Sequence, residues 1–108
     1  MTATKPKKLP PIHPGVTLLD DFMKPLGLNA NRLAIDLRVP AQQISEIVKG
    51  QRGISASTAL RLARYFDTSA EFWMNLQSHY ELQVASDEAG KKIERGITPA
   101  KEVVAAGG

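Results

Sequence analysis

The chain has 108 residues, of which 43% are hydrophobic and 23% are charged, and it contains no cysteine. This length suits a single hydrophobic core and is too short for a two-domain enzyme with a cleft between its lobes. The absence of cysteine excludes a disulfide framework and thiolate-ligated metal sites, which favours a reducing compartment. Because no apolar stretch is long enough to span a bilayer and the N-terminus has no apolar signal core, we expect a cytoplasmic protein that does not enter a membrane.

The position of the charge is more informative than its size. The formal net charge is +3, from 14 basic and 11 acidic side chains. Three positive units lie in residues 1–12 and two in residues 28–53, whereas residues 70–86 carry two negative units. Such an asymmetry points to a polyanionic partner for the first half of the chain.

Every segment with a clear hydrophobic period has the helical one, so the expected fold class is all-α, with a compact five-helix domain in residues 13–85. Residues 1–12 contain three prolines and three lysines and are expected to form a disordered basic arm. Apolar residues become sparse after that domain. Residues 86–108 are therefore expected to form a mobile tail, with a short helix near residues 100–106.

The first two helices have clear start signals. The first is expected to begin at the sequence His13-Pro14-Gly15, because proline is favoured at the first helical position. The second is expected to begin after Asn29, a good N-cap residue. The expected buried side chains are Leu19, Phe22, Met23 and Leu26 in the first helix and Leu33, Ala34 and Leu37 in the second.

A turn of only three residues, Arg38-Val39-Pro40, connects the second helix to the third. The turn is tight because a residue before proline is pushed out of the α region. The third helix is predicted over residues 41–49, and Gly50 is expected to end it in the left-handed conformation. Its expected buried side chains are Ile44, Ile47 and Val48.

The fourth and fifth helices contain most of the aromatic residues. Ser55 is expected to cap the fourth helix, and the pair Thr68 and Glu71 is spaced as a capping box for the fifth. The fourth helix is expected to bury Ala59, Leu60, Leu62, Ala63 and Phe66. Five of the six aromatic residues lie in residues 65–80, which indicates either the heaviest core packing or an interface.

Two short helices joined by a tight turn, with a polar outer face on the second, are the parts of a helix-turn-helix motif. That face suits base-edge reading, since glutamine can bond adenine through two atoms, glutamate can accept from cytosine and alanine can touch a thymine methyl. The candidate base readers are Ala41, Gln42, Gln43, Ser45 and Glu46, the two glutamines first because readers cluster at the N-terminal end of a recognition helix. The candidates for phosphate contacts are Asn31, Arg32, Arg38, Lys49 and Arg52.

Other interpretations of this face remain open. Any small helical domain has a polar side that meets solvent, and a carboxylate that faces a DNA groove repels phosphates. Glu46 is therefore either a cytosine reader or the partner of Arg52 or Lys49.

The sequence contains no catalytic or metal-binding pattern. His13 is expected to open the first helix, and His79 is expected to lie exposed or in an interface on the fifth. The carboxylates of Asp20 and Asp21 diverge by about 100° around a helix, too far apart for paired acid and base work. Because nucleophile-elbow and glycine-rich phosphate-loop motifs are also absent, we expect no enzyme, no cofactor and no metal.

Three segments together resemble the HigA antitoxins, which belong to the Xre-type, phage-repressor-like helix-turn-helix regulators. They are HPGVTLLDDFMKPLGL at residues 13–28, ISEIVKGQR at 44–52, and TALRLARYF followed by SAEFWMNLQ between residues 58 and 77. The resemblance covers about residues 12–85. Two positions depart from the family pattern: Ala30 stands where a glutamine often begins the first helix of the motif, and Arg38 stands where the turn usually has glycine.

The resemblance implies a homodimer that binds a palindromic DNA operator, represses its own operon and neutralises a HigB-type, mRNA-cleaving toxin by direct binding. The dimer contact is expected on the fifth helix and the end of the fourth, at Tyr65, Phe66, Phe72, Trp73, Leu76, Tyr80 and Val84. The lysines of the arm are expected to be solvated, with a clamp on DNA or a toxin contact as alternatives. A stand-alone Xre-type repressor without a toxin is the second hypothesis for the function, and a protein-binding adaptor is the third.

Overall fold

The computed structural model describes residues 10–107, and within that range every regular element is helical. The expectation of an all-α fold is thereby confirmed. Most of the expected basic arm, including its three lysines, lies outside the described residues.

The first helix starts as expected but changes its pitch. α1 (Pro14–Thr17) continues without a break into a π-helical segment, Leu18–Met23, and a 3₁₀ turn, Lys24–Leu26. His13 caps it, because its Nδ1 accepts a hydrogen bond from the backbone N–H of Gly15 at 2.9 Å.

The π-helical segment changes which side chains of this helix are buried. Leu18 has no exposed surface, whereas Leu26, expected in the core, is 64% exposed. Hydrogen bonds from i to i+5 widen the turn and shift the register relative to a period of 3.6 residues. The prediction that Leu26 is buried is wrong for this reason.

The remaining helices are α2 (Ala30–Leu37), α3 (Ala41–Val48), α4 (Ala56–Phe66), α5 (Ala70–Gly96) and α6 (Ala100–Gly107). The predicted caps of α2 and α4 are confirmed: Asn29 Oδ1 accepts from the N–H of Arg32 at 2.8 Å, and Ser55 Oγ accepts from the N–H of Thr58 at 3.3 Å. Gly50 has a φ of 76°, as expected for the residue that ends the third helix.

The cap of α5 is Ser69 and not Thr68. Ser69 Oγ accepts from the N–H of Phe72 at 3.0 Å, and Thr68 Oγ1 accepts from the indole Nε1–H of Trp73 at 2.8 Å. A buried indole N–H needs an acceptor, and the threonine supplies it. The predicted capping box of Thr68 and Glu71 is therefore wrong by one residue.

α5 extends beyond the end of the predicted domain. It passes through Ser86 and ends at Gly96, so the first half of the expected tail is helical. Residues 86–96 contain good helix formers and no proline, and these continue the hydrogen bonding even where the apolar content falls. The short helix expected near residues 100–106 is present as α6.

The core is formed by the inner faces of the first five helices and by one loop residue, Ile54. Its buried hydrophobic residues are Leu18, Met23, Leu33, Ala34, Leu37, Ile44, Ile47, Ile54, Ala59, Leu62 and Trp73. Leu60 was expected among them but is 64% exposed. The buried arc of α4 is centred on Ala59 and Leu62, and Thr58 occupies the place beside them. A buried threonine is tolerated there because its hydroxyl is hydrogen-bonded.

α1 and α3 touch through their backbones at Gly15. A Cβ added to Gly15 would lie 1.9 Å from the carbonyl oxygen of Ile47 and 2.8 Å from its carbonyl carbon. Neither partner is a flexible side chain, so no larger residue fits without a backbone shift.

We expect Gly15→Ala to lower the free energy of unfolding by about 1–3 kcal/mol, because it overpacks a contact between two backbones. Gly96→Ala is the matched control, since nothing lies within 4 Å of a Cβ at that position. Urea unfolding followed by circular dichroism measures both changes. Equal midpoints for Gly15→Ala and the parent would contradict the close approach.

Candidate nucleic-acid interface

The turn between α2 and α3 has the geometry of a helix-turn-helix. Arg38 adopts the left-handed conformation, with φ 59° and ψ 47°, which agrees with the glycine that usually stands at this position in the family it resembles. The N–H of Val39 donates to the carbonyl of Ala34 at 3.0 Å, and Arg61 Nη1 donates to the carbonyl of Leu37 at 2.7 Å. These bonds satisfy backbone carbonyl groups at the C-terminal end of α2 and offset a backbone strain of roughly 1–2 kcal/mol at Arg38.

α3 has one face in the core and one face in solvent. Ile44 and Ile47 are completely buried, and Val48 packs beside them. On the outer side Ala41 and Gln42 are exposed, and Ser45 and Glu46 are partly exposed. Four of the five predicted base readers thus share the accessible side of one helix.

Glu46 is paired within the protein. Its carboxylate accepts from Gln42 Nε2 at 3.2 Å and from Arg52 Nε at 2.8 Å. The hydrogen bond from Gln42, followed by that from Arg52, lowers the pKa of Glu46. Of the two alternatives for Glu46, the unbound structure shows the ion pair with Arg52, which offsets the negative charge on this face.

Gln43 differs from the other predicted readers because it is half-buried. Its Nε2 donates to Thr58 Oγ1 of α4 at 2.8 Å. The sequence contains a signal for this placement: Gln43 lies one helical turn before the buried Ile47, so both residues belong to the same side of α3. Thr58 was missed altogether by the sequence reasoning.

The predicted phosphate contacts surround the outer face of α3. Asn31 lines an open depression of about 390 Å³ together with Ala41, Gln42 and Ser45, among others. Arg38 and Lys49 are exposed at the two ends of α3. The predicted contacts Arg32 and Arg52 each have a carboxylate partner, Asp36 at 3.0 Å and Glu46 at 2.8 Å respectively.

Asp36 joins α2 to α4. Its Oδ2 accepts from the hydroxyl of Tyr65 at 2.6 Å and from Arg32 Nε at 3.0 Å. The hydrogen bond from Tyr65 is the main cause of the lowered pKa of Asp36, and the same bond raises the pKa of Tyr65. The spacing of Arg32 and Asp36 is an i, i+4 pair, so the sequence could have revealed that half of the network.

The residues expected at the dimer contact are only partly available for one. Trp73 has no exposed surface and packs 4.9 Å from Phe22, centroid to centroid. It is therefore a core residue, and the expectation that it meets a second copy is corrected. Tyr65 and Phe72 are each 36% exposed, whereas the ring of Tyr80 lies edge-on to His13 at 4.9 Å. The other three, Phe66, Leu76 and Val84, are half-buried.

Residues 10–107 contain no group of three or more histidine, aspartate or glutamate side chains placed to hold a metal ion. Within the same range no helix is both long and apolar enough to cross a membrane.

A family model described as helix-turn-helix matches residues 19–73, just over half of the chain, including the turn at Arg38 and all of α3. The chain belongs to this helix-turn-helix family. The family is a DNA-binding and non-enzymatic one, which agrees with the expectation that the protein is not an enzyme.

Several individual proteins are similar to this chain over most of their length. Virulence-associated protein I of Dichelobacter nodosus is 48% identical over 81 residues, 75% of each chain. The structure of Pseudomonas aeruginosa antitoxin HigA with the higBA promoter has a TM-score of 0.81 and 52% identity, covering 83% of this chain and 98% of that one. The structure of antitoxin GraA in complex with its operator has a TM-score of 0.80 and 35% identity, covering 89% of this chain and 97% of that one. The resemblance to HigA antitoxins is confirmed.

Proposed function

We propose that this protein is a sequence-specific DNA-binding antitoxin that, as a homodimer, represses its own operon and neutralises a HigB-type, mRNA-cleaving toxin by direct binding. The observation that carries the proposal is the solvent face of α3, which presents Ala41, Gln42, Ser45 and Glu46 while its opposite face is locked in the core. The similar HigA and GraA structures contain a promoter and an operator, which supports double-stranded DNA as the partner.

The residues of the interface divide into two roles. Gln42, at the N-terminal end of α3, reads adenine through its amide, and Ala41 and Ser45 contact the neighbouring base edges. The basic side chains at the rim supply affinity without sequence information, because they meet phosphates.

DNA binding competes with ion pairs that exist in the unbound protein. Arg52 is held by Glu46, and Arg32 is held by Asp36, and both arginines are exposed. Exposed pairs of this kind contribute little to stability, so phosphates can replace the carboxylate partners at small cost. Gln42 bonds the other oxygen of Glu46, so its amide must also exchange this hydrogen bond to reach a base.

A dimer is the assembly that a palindromic operator requires. A two-fold axis must set the two recognition helices about 34 Å apart, one turn of the DNA helix. We place the dimer contact on the accessible part of the predicted surface, which contains Tyr65 and Phe72 and the half-buried residues Phe66, Leu76, Tyr80 and Val84. Trp73 supports this surface from inside the core.

A stand-alone Xre-type repressor is the second candidate, since the outer face of α3 serves either function equally well. The charge of α5 favours a toxin partner: residues 70–86 carry two negative units, and a RelE-like ribonuclease that binds mRNA has a basic surface.

We expect Gln42→Ala to weaken operator binding by about 1–3 kcal/mol and to change the preferred base at one position of each half-site. Arg38→Ala should weaken operator and random duplex alike and reduce the salt slope by about 1, because it removes a phosphate contact. Gln83→Ala on α5 is the matched control for the glutamine. Fluorescence anisotropy at several salt concentrations measures these effects, and parent-like discrimination by Gln42→Ala would remove this residue from the readers.

The dimer is tested by sedimentation equilibrium at tens of micromolar, where we expect twice the monomer mass. Phe72→Gln should shift the equilibrium to the monomer, because it places an amide in an apolar contact. Ile35→Gln changes another exposed apolar residue, on α2, which contributes no residue to the proposed contact, and should leave the dimer intact. A parent protein that sediments as a monomer would contradict the assembly.

The toxin partner is tested by co-expression with a RelE-like reading frame next to this gene. We expect the growth arrest caused by that protein to be relieved and the two chains to co-purify, also when the antitoxin has Gln42→Ala. Rescue without co-purification would exclude neutralisation by direct binding. Operator binding with neither effect would favour the stand-alone repressor.

A further inference from the structure

We propose that Gln77 of α5 is a positioning residue for DNA binding: it fixes the loop between α3 and α4 and thereby the guanidinium of Arg52. The proposal rests on the proposed DNA-binding function and assigns a role to a side chain that is too deeply buried to meet DNA.

Gln77 contacts the loop through a hydrogen bond and through close packing. Its Oε1 accepts from the backbone N–H of Ile54 at 2.7 Å, a contact between residues 23 positions apart in the chain. A Cβ added to Gly53 would lie 2.8 Å from Gln77 Nε2 and 3.0 Å from Oε1. The amide therefore lies directly against the backbone of Gly53, immediately after Arg52.

The loop is anchored from two further sides. The His13 ring packs beside Gly50, where its Cγ lies 3.7 Å from the position of an added Cβ. On the α4 side, Thr58 Oγ1 accepts from Gln43 Nε2 at 2.8 Å and from Ser55 Oγ at 3.1 Å. Gln77 is the anchor that comes from α5, the helix on which we place the dimer contact.

The contact of Gln77 with the loop affects the direction of the Arg52 side chain. Its guanidinium bonds Glu46 on α3 while its backbone is set by the loop, so its direction depends on the separation of loop and helix. If the carboxamide of Gln77 is removed, the N–H of Ile54 loses its buried acceptor, and the loop must move to find another. Arg52 then leaves the position from which it reaches a phosphate.

The test uses Gln77→Leu, which keeps the size but removes the acceptor, and Gln77→Glu, which retains an oxygen for the N–H of Ile54. Gln83→Leu is the matched control, since it makes the same change about 9 Å further along α5. Each variant is made in the parent and in the Arg52→Ala background. Affinity for operator and random duplex is measured over a range of salt concentrations.

We expect Gln77→Leu to weaken binding to both duplexes by about three- to tenfold and to lower the salt slope by up to about 0.9. In the Arg52→Ala background the additional loss should be much smaller, because both changes remove the same contact. Gln77→Glu should recover most of the affinity, and Gln83→Leu should bind as the parent does. An equal loss in both backgrounds with an unchanged salt slope, or no loss at all, would overturn the proposal.

Two further measurements distinguish a failure of the Gln77 role from a failure of the proposed DNA-binding function. In the protein without DNA, the NMR signals of the Ile54 N–H and of the Arg52 Nε–H should shift in Gln77→Leu and not in Gln83→Leu; an unshifted Arg52 signal would overturn the positioning role. A parent that does not prefer operator over random duplex would instead overturn the proposed function. If Gln77→Leu does not fold, Gly53→Ala presses a Cβ against the Gln77 amide, so that either the amide or the loop must move and the bond to the Ile54 N–H is disturbed. Parent-like affinity and salt slope in that variant would overturn the proposal.

Discussion

The buried side of α3 is the constraint on which the rest of the molecule depends. An isolated helix of eight residues is not stable in water, and α3 persists because Ile44 and Ile47 are completely enclosed and the backbone of Gly15 closes over its last turn. The first helix and α2 both contribute to this enclosure. The core can therefore be understood as a socket that holds one short helix at a fixed depth and orientation.

Hydrogen bonds add to the apolar packing that holds α3 in place. The bond between Gln43 and Thr58 ties α3 to α4, and the bond between Gln77 and Ile54 ties the following loop to α5. Each bond joins side chain or backbone groups that are wholly or partly buried, where an unsatisfied partner is costly. The same elements that stabilise the fold thus determine where the exposed groups of α3 and of the loop are presented.

The sequence predicted what local interactions decide. The N-caps Asn29 and Ser55, the left-handed Gly50 and the buried pair on α3 all follow from side chains within a few positions of one another. The outer face of α3 could be predicted for the same reason, since a helical period alone separates it from Ile44 and Ile47.

The errors have two sources: local geometry that departs from a regular α-helix, and contacts between distant parts of the chain. Leu26 is exposed because a π-helical segment interrupts the period, and Ser69 caps α5 because the indole of Trp73 takes the hydroxyl of Thr68. Trp73 is inside the core because Phe22, fifty-one positions earlier, lies against it. No pattern within a single helix contains that information.

The division of α3 into two faces has an evolutionary consequence. Ala41, Gln42 and Ser45 are accessible and make no contribution to the buried core, so under the proposed function substitutions there alter the preferred DNA sequence with little effect on folding. A lineage can acquire a new operator by exchanging a few surface side chains, while Ile44, Ile47 and Gly15 stay as they are. Duplicated copies in one genome can diverge in this way until each responds only to its own promoter.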